Sequence, residues 1–493
     1  MALESKLRMV QPLVVFSALS VVMLLFALAM ALPLAVSAAL DDGALAPFAA
    51  GVLLTASCGL LLRLATRGER RELQTRDGLL IVALLWTGLP ALAAVPLLLH
   101  LDNLSFTDAY FEAVAGLTTT GATVLTGLDS LSPSINLWRA ALQWIGGMGI
   151  IVLAVALLPL LGVGGSQLLR AETPGPMKDA KLTPRIAETA KGLWSVYILL
   201  TAACIVAFKL AGMEGLDAVI HAFTTLSLGG FSSHDASYGH WNSPAIEAVT
   251  ILFMVIAGMN FATHFLAVRE RSLRPYWRDP QLMPYISLLA ISVLGIALFL
   301  WVQGTYAEFA VALRFAAFNV VSIATTTGFA STDYNIWPIF APMWMLILCS
   351  VASCAGSTGS GIKMIRAQLL VRQAFREILH IIHPRAYLPI RIGDQVVQIR
   401  IMAGVLAFML VYGLSVISMT MLLAATGMDI VTAFSAVIAS INNTGPGLNE
   451  VGPASNFASL TGFQTWLLAF AMLLGRLELI TLLVVLTPAF WRT

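Results

Sequence analysis

Charge is what this sequence has least of. Only 11% of its residues are Asp, Glu, Lys or Arg, where a soluble domain carries about a quarter, so an ordinary cytosolic globule is excluded. Cysteine is scarce too. Cys58, Cys204, Cys349 and Cys354 lie in apolar stretches without metal-ligand spacing, which excludes a disulfide framework and leaves them as small buried hydrophobes. Catalytic signatures are also missing. There is no HExxH, no GxSxG, no pair of intramembrane aspartates and no phosphate loop followed by Lys and Ser/Thr, so neither an intramembrane enzyme nor an ATPase is expected.

What is abundant is apolar sequence, 58% of the chain. Leu13–Leu40, Leu79–Leu99, Leu193–Leu210 and Ile401–Ala425 are each near or above the length that spans a bilayer. The first follows Lys6 and Arg8, as a signal peptide would, but it is too long for such a core and reads as a retained first helix.

Most of the 28 Lys and Arg gather in six places: Lys6–Arg8, Arg63–Arg76, Arg170–Lys191, Arg269–Arg278, Arg366–Arg400 and Arg492. Positively charged loops stay on the cytoplasmic side. The exposed parts between them are mostly acidic, at Asp41, Asp42, Asp102, Asp129, Glu214, Asp235, Asp333, Asp429 and Glu450. Five out-and-back excursions follow, hence ten spanning helices with both termini inside. The first excursion is a plain helix pair turning near Asp41-Asp42-Gly43. The other four are longer.

The extra length holds a repeat. Asp108–Gly121, Asp217–Gly230, Phe315–Gly328 and Thr432–Gly445 align without gaps, with alanine second (Ala109, Ala218, Ala316, Ala433) and glycine last. Each reads as about ten helical residues, too few to span a membrane, and then a short Thr/Ser/Asn/Gly run. Irregular backbone at membrane depth is tolerated where it lines a water-filled cavity or is buried in protein. Backbone carbonyls can replace a cation's water, and aligning successive carbonyls calls for backbone angles that glycine reaches freely. Short helices aiming their C-terminal ends inward favour a cation further. The candidate filter residues are Thr118, Thr119, Thr120 and Gly121; Ser227, Leu228, Gly229 and Gly230; Thr325, Thr326, Thr327 and Gly328; and Asn442, Asn443, Thr444 and Gly445. Four shared loops in register are much stronger evidence than any one of them.

These runs belong to longer motifs: Thr118-Thr119-Thr120-Gly121-Ala122, Gln143-Trp144-Ile145-Gly146-Gly147-Met148-Gly149, Leu228-Gly229-Gly230-Phe231-Ser232, Ala324-Thr325-Thr326-Thr327-Gly328-Phe329, Cys354 through Lys363, and Leu474-Gly475-Arg476-Leu477-Glu478. Over nearly its whole length the chain resembles the TrkH branch of the Trk/Ktr/HKT superfamily of K⁺ transport proteins. The resemblance implies an all-α polytopic membrane protein: four M1–P–M2 pore-loop repeats in pseudo-fourfold arrangement, plus an N-terminal pair of transmembrane helices. It implies one pore per subunit, a homodimer in the bacterial inner membrane, and a cytosolic nucleotide-binding regulatory subunit of the TrkA type. K⁺ is then the transported ion, held by filter carbonyls, with no bound cofactor and no nucleic-acid partner. Glycine at all four filter ends looks like the K⁺-selective pattern. Leu228 and Asn443 depart from a potassium-channel consensus, which leaves less strict selectivity open. The expected divisions are residues 1–76 for the helix pair, then repeats at 77–178, 179–279, 280–394 and 395–493.

Several residues carry two readings each. Gly356, Ser357, Thr358, Gly359, Ser360 and Gly361, followed by Lys363, interrupt the second helix of repeat three. That density of glycine and serine weakens a helix. It reads as a movable gate beneath the filter, or as close helix packing through small residues; Lys363 could simply reach the interface. Arg476 lies in an apolar stretch, where a charge faces a pore or a partner: an electrostatic barrier, or an ion pair with Glu478, although residues two apart on a helix do not face each other. His221 and His264 read as satisfied core histidines. Asp108, Glu112 and Asp217 read as a cation-attracting rim or as helix caps. Trp138, Trp194, Trp241 and Trp301 read as interface anchors. The proline-interrupted basic segments 164–192 and 366–400 read as the docking surface for the regulator, with anionic lipid as the competing contact. A coupled secondary transporter carrying K⁺ with H⁺ or Na⁺ is the competing function. Inverted repeats would enter from opposite sides, whereas these four all enter from one.

Overall fold

The computed structural model describes residues 12–67, 75–157, 186–393 and 395–492. Among them the secondary structure is helical apart from a two-residue hairpin, in which Arg391–Ile392 pairs antiparallel with Gln395–Val396.

Pro12–Leu40 and Leu45–Ala65 form the leading helix pair. The chain reverses through Asp41 and Gly43, both with left-handed backbone. Asp42 fastens this corner. Its carboxylate accepts from the Ser37 hydroxyl, from the Ala44 N–H at 3.2 Å and from the Ser134 N–H at 2.9 Å. The last contact ties the pair to the following repeat.

Each repeat then runs outer helix, short pore helix, extended loop, inner helix. The outer helices are Thr75–Ala93 continued by Val95–His100, then Ile186–Leu210, Leu282–Val302 and Ile399–Ala425. The pore helices are Phe106–Leu117, Gly215–Leu226, Phe309–Ala324 and Ile430–Ile441. Their inward faces carry Ala109, Ala113, Ala316, Ala433 and Ala436, all fully buried. Side chains this small let helices approach closely where no hydrophobic drive between them exists. The outer surface carries leucine: Leu28, Leu53, Leu210 and Leu410 are at least 65% exposed, as surfaces facing lipid would be.

Among the described residues six helices are long and apolar enough to cross a membrane unaided. The inner helices account for the difference from ten. Pro133–Leu157 is the first. In repeat two Pro244–Ala257 bends by 92° into Phe261–Glu270, and in repeat four Gly462–Arg476 bends by 115° into Ile480–Leu486. In repeat three Phe340–Val351 gives way to a loop over 352–363 before Met364–Ile382. The sequence reading put a break only in repeat three. The breaks at Gly258–Asn260 and Leu477–Leu479 carry no glycine cluster like that of repeat three and differ from the expectation. Residues 158–185, most of the first basic segment expected to dock a regulator, lie outside the described residues.

Candidate ion pathway

The four candidate filter runs share one backbone. The residue closing each pore helix is right-handed: Thr118, Ser227, Thr325 and Asn442 are the C-caps. The next residue is left-handed in every repeat, at φ 56° for Thr119, 53° for Leu228, 64° for Thr326 and 53° for Asn443. Two residues on, the glycine is left-handed again, between 79° and 94°. Non-glycine residues rarely adopt that hand, so its recurrence at Leu228 marks a conformation imposed by the surroundings.

The glycines are required for a second reason. A Cβ on Gly121 would lie 2.1 Å from the Gly229 carbonyl oxygen, on Gly230 1.9 Å from that of Thr327, on Gly328 2.0 Å from that of Thr444, and on Gly445 2.7 Å from that of Thr120. Each repeat thus sets a bare Cα against a carbonyl of the next, and the fourth returns to the first. The circuit is closed, so the four loops surround one axis.

Side chains brace the ring from behind. The hydroxyls of Thr118 and Thr120, and likewise those of Thr325 and Thr327, lie 2.7 Å apart. Asn443 donates to the Thr120 hydroxyl and to the Met472 carbonyl, each at 2.9 Å. Repeat two differs: the Gln143 amide donates to the Gly229 carbonyl at 2.7 Å and accepts from the Phe231 N–H at 3.1 Å. Among the described residues no comparable side-chain donor reaches the carbonyls of Thr120, Thr327 or Thr444. Above the ring opens a vestibule lined by all four glycines with Arg139, Ser232, His234 and Asp235.

Below it lies the interrupted segment of repeat three. The Thr358 hydroxyl donates to the Leu226 carbonyl at 3.0 Å, and the Ser360 N–H to the Thr326 hydroxyl at 3.1 Å. Ser353 reaches the Thr325 carbonyl at 3.4 Å. Ser357 and Thr358 are fully buried, so the loop fills the space directly under the ring. Gly356, Gly361 and Lys363 have left-handed backbone, which supplies its tight reversals. The Lys363 ammonium folds back onto the Gly359 carbonyl and does not extend toward the interface.

Arg476 holds this loop. It donates to the Thr358 carbonyl at 3.2 Å, the Ser360 hydroxyl at 3.1 Å and the Gly146 carbonyl at 2.8 Å, joining repeats four, three and one. The Glu478 carboxylate accepts from Arg366 at 2.9 Å, so it serves a cation on another repeat.

Other expectations divide. His221 has a partner on each ring nitrogen, the Asp217 carbonyl and the Ser232 hydroxyl. His264 likewise meets the Tyr276 hydroxyl and the Ile256 carbonyl. The cap of the first pore helix is Ser105, whose hydroxyl accepts from the Asp108 N–H at 3.1 Å and donates to the Asp108 carboxylate at 2.6 Å. Glu112 does not belong to an open rim: it is buried, and its carboxylate binds Arg139 at 2.8 Å and the Val124 N–H at 3.0 Å. Trp138 is no interface anchor. It is wholly buried and donates to the Ala93 carbonyl at 3.0 Å. Sequence reasoning gave Arg139 and Gln143 no role. A lone arginine in an apolar helix was the available signal for the first, and the amide so close to the Gly146-Gly147 pair for the second.

Four pore loops closing one ring, inside helices that present leucine outward, define a membrane protein built to pass small ions. A profile of TrkH cation transport proteins matches residues 45–492. The chain belongs to the TrkH family. It is 47% identical over 470 residues to the Trk system potassium uptake protein TrkH of Salmonella typhimurium, covering 95% of this chain and 97% of the relative. It is 39% identical over 430 residues to TrkG of the Trk system in Escherichia coli K12, covering 87% and 88%. The crystal structure of the potassium transporter TrkH from Vibrio parahaemolyticus superposes with a TM-score of 0.90 at 43% identity, covering 98% of this chain and 100% of that one. The relatives are named as transporters, not enzymes, and the family is a membrane family.

Proposed function

We propose that this protein takes up K⁺ through a selective pore across a bacterial inner membrane, with both termini in the cytoplasm. The closed circuit of four glycines against four carbonyls is the observation that carries the proposal. Such a ring offers backbone oxygens to a dehydrated cation without a carboxylate, and the four pore helices direct their negative ends toward it. The potassium uptake named for the relatives supports the same ion. Inward flow needs no coupled ion, because an inside-negative potential supplies about 2.3 kcal/mol per charge per 100 mV.

In this reading residues 352–363 are the gate, seated in the closed position, and Arg476 retains it. A cytosolic nucleotide-binding regulatory subunit of the TrkA type moves it, and the chain works as a homodimer. The regulator docks on segment 366–400. Its helix Met364–Ile382 leaves Phe375 and Ile381 more than 60% exposed, a surface that asks to be covered.

The test is cation flux into liposomes holding the purified protein, with K⁺, Rb⁺, Na⁺ and Li⁺ compared for wild type and Gly121→Ser. Selective K⁺ and Rb⁺ passage that the substitution erodes is the expected result. No flux of any cation, even with the regulator supplied, overturns the pore.

A further inference from the structure

Beside the vestibule three metal-binding side chains converge that the pathway does not use. Asp129 comes from the loop after the first pore helix, His234 and His240 from the loop after the second. One donor atom from each falls within a group no more than 4.8 Å across. Donors about 2.1 Å from a tetrahedral zinc ion stand about 3.4 Å apart, so rotation of the exposed Asp129 and His240 about the half-buried His234 would close the set. Asp129 Oδ1 already lies 3.8 Å from His240 Nδ1 and touches His234 Nδ1.

The surroundings resemble the outer support of a metal site. His234 directs its other nitrogen, Nε2, at the Asp217 carboxylate 3.2 Å away. A carboxylate behind a ligating histidine fixes the ring and its tautomer, leaving the opposite nitrogen's lone pair for a metal. Asp129 is itself oriented, because its second oxygen accepts from the Asp235 N–H at 3.1 Å. The two imidazoles stack with centroids 3.6 Å apart, and Trp241 packs edge-on against both, at 4.9 and 5.1 Å; His240 has to swing out of this stack before its lone pair can point at an ion shared with His234. Asp129 and His240 remain 48% and 44% exposed, which leaves room for entry and for a water ligand.

We propose that Asp129, His234 and His240 bind a late first-row divalent cation of the Zn²⁺ class at the outer rim of the pore, with Asp217 as the positioning residue behind His234. Two imidazoles and one carboxylate select Zn²⁺, Ni²⁺ or Cu²⁺ over Mg²⁺ and Ca²⁺. Bound there, the ion joins the loops of repeats one and two beside the contact of Gly121 with Gly229, and adds positive charge where K⁺ enters. That this charge slows Rb⁺ and K⁺ flux rests on the pore reading; the binding does not.

The probe is Zn²⁺ alone, measured by competition with a chromophoric chelator. The full chain is purified without an affinity tag, with His380 and His383 changed to alanine; of the remaining imidazoles outside the site, His221 and His264 hold partners on both ring nitrogens and His100 on Nε2. One Zn²⁺ per chain at micromolar concentration is expected, weakened about tenfold or more by His240→Ala, by Asp129→Asn and by Asp217→Asn. Zn²⁺ should also raise the Tm of the parent protein and leave that of the His240→Ala variant unmoved. Affinity and Tm response indifferent to all three substitutions, or no binding below millimolar Zn²⁺, overturn the site. An imidazolium held between Asp129 and Asp217 would then account for the cluster. Zn²⁺ that binds as expected and leaves Rb⁺ flux unaltered overturns the effect on ion entry and leaves the site standing, whereas absence of Rb⁺ flux in the metal-free protein counts against the pore alone.

Discussion

Gly445 meets the carbonyl oxygen of Thr120 across the seam between the last repeat and the first, where an added Cβ would come within 2.7 Å. The corresponding distances at the other three seams are 1.9 to 2.1 Å, so the fourth is the loosest. Replacing any of the four glycines by alanine adds the strain of a left-handed backbone, about 1–2 kcal/mol, and a clash with backbone that cannot rotate away. Gly445→Ala should therefore be the mildest of the series in both Tm and Rb⁺-over-Na⁺ preference, and Gly230→Ala the harshest. Equal losses at all four would show that backbone hand alone sets the requirement.

Gln143 tests the asymmetry of repeat two. With Gln143→Leu the Gly229 carbonyl loses a donor at 2.7 Å and the Phe231 N–H an acceptor at 3.1 Å. Each buried group left unpaired costs about 1–3 kcal/mol. Rb⁺-over-Na⁺ selectivity should fall, with total flux kept or raised. An unchanged permeability ratio would assign Gln143 a purely structural part.

Arg476→Gln should loosen residues 352–363, since three hydrogen bonds at 2.8 to 3.2 Å leave with the guanidinium. Flux without regulator should then rise several-fold, and Ser360→Ala, which removes one of those partners, should raise it less. Flux that falls in both variants would mean that Arg476 shapes ion occupancy and not the loop.

Glu112 and Arg139 are a fully buried ion pair behind the first pore loop. Removing one partner strands the other, so Glu112→Gln or Arg139→Met should lose about 3–5 kcal/mol. The doubly substituted protein, Glu112→Leu with Arg139→Met, should recover part of it. Thermal unfolding of the three purified variants gives the comparison.

Asp42 sets a pH dependence. Burial raises its carboxyl pKa, but the Ser134 and Ser37 side chains and the N–H groups of Ser134 and Ala44 outweigh that and hold it below the usual carboxylate value. A carboxyl depressed on folding stabilises above its unfolded value and loses that contribution as pH falls through the folded one. The Tm advantage of wild type over Asp42→Asn should be full at neutral pH and shrink below about pH 4. A difference that grows on acidification would contradict the assignment.

The ring was legible because its constraint is covalent. A missing Cβ is written in the sequence as glycine, and four copies at one register leave few alternatives. Arg476 announced itself as a charge in apolar surroundings, but the choice between its readings lay in partners more than a hundred residues away. Gln143, Arg139 and the buried Glu112 were illegible for that reason, since a hydrogen bond between distant residues leaves no local pattern. Trp138 misled because amphipathic rings suit both a lipid boundary and a core that offers its N–H a carbonyl. The bend in the second inner helix has a local mark in Gly258 and the N-cap Asn260, whereas Leu477–Leu479 in the fourth offers no such mark.

Since each loop sets its bare Cα against one neighbour and its own carbonyl against the other, no repeat holds the ring's shape on its own. Such a chain can drift widely in side chains, as Leu228 and Asn443 illustrate, while a change of backbone in one quarter must be answered by the quarter beside it.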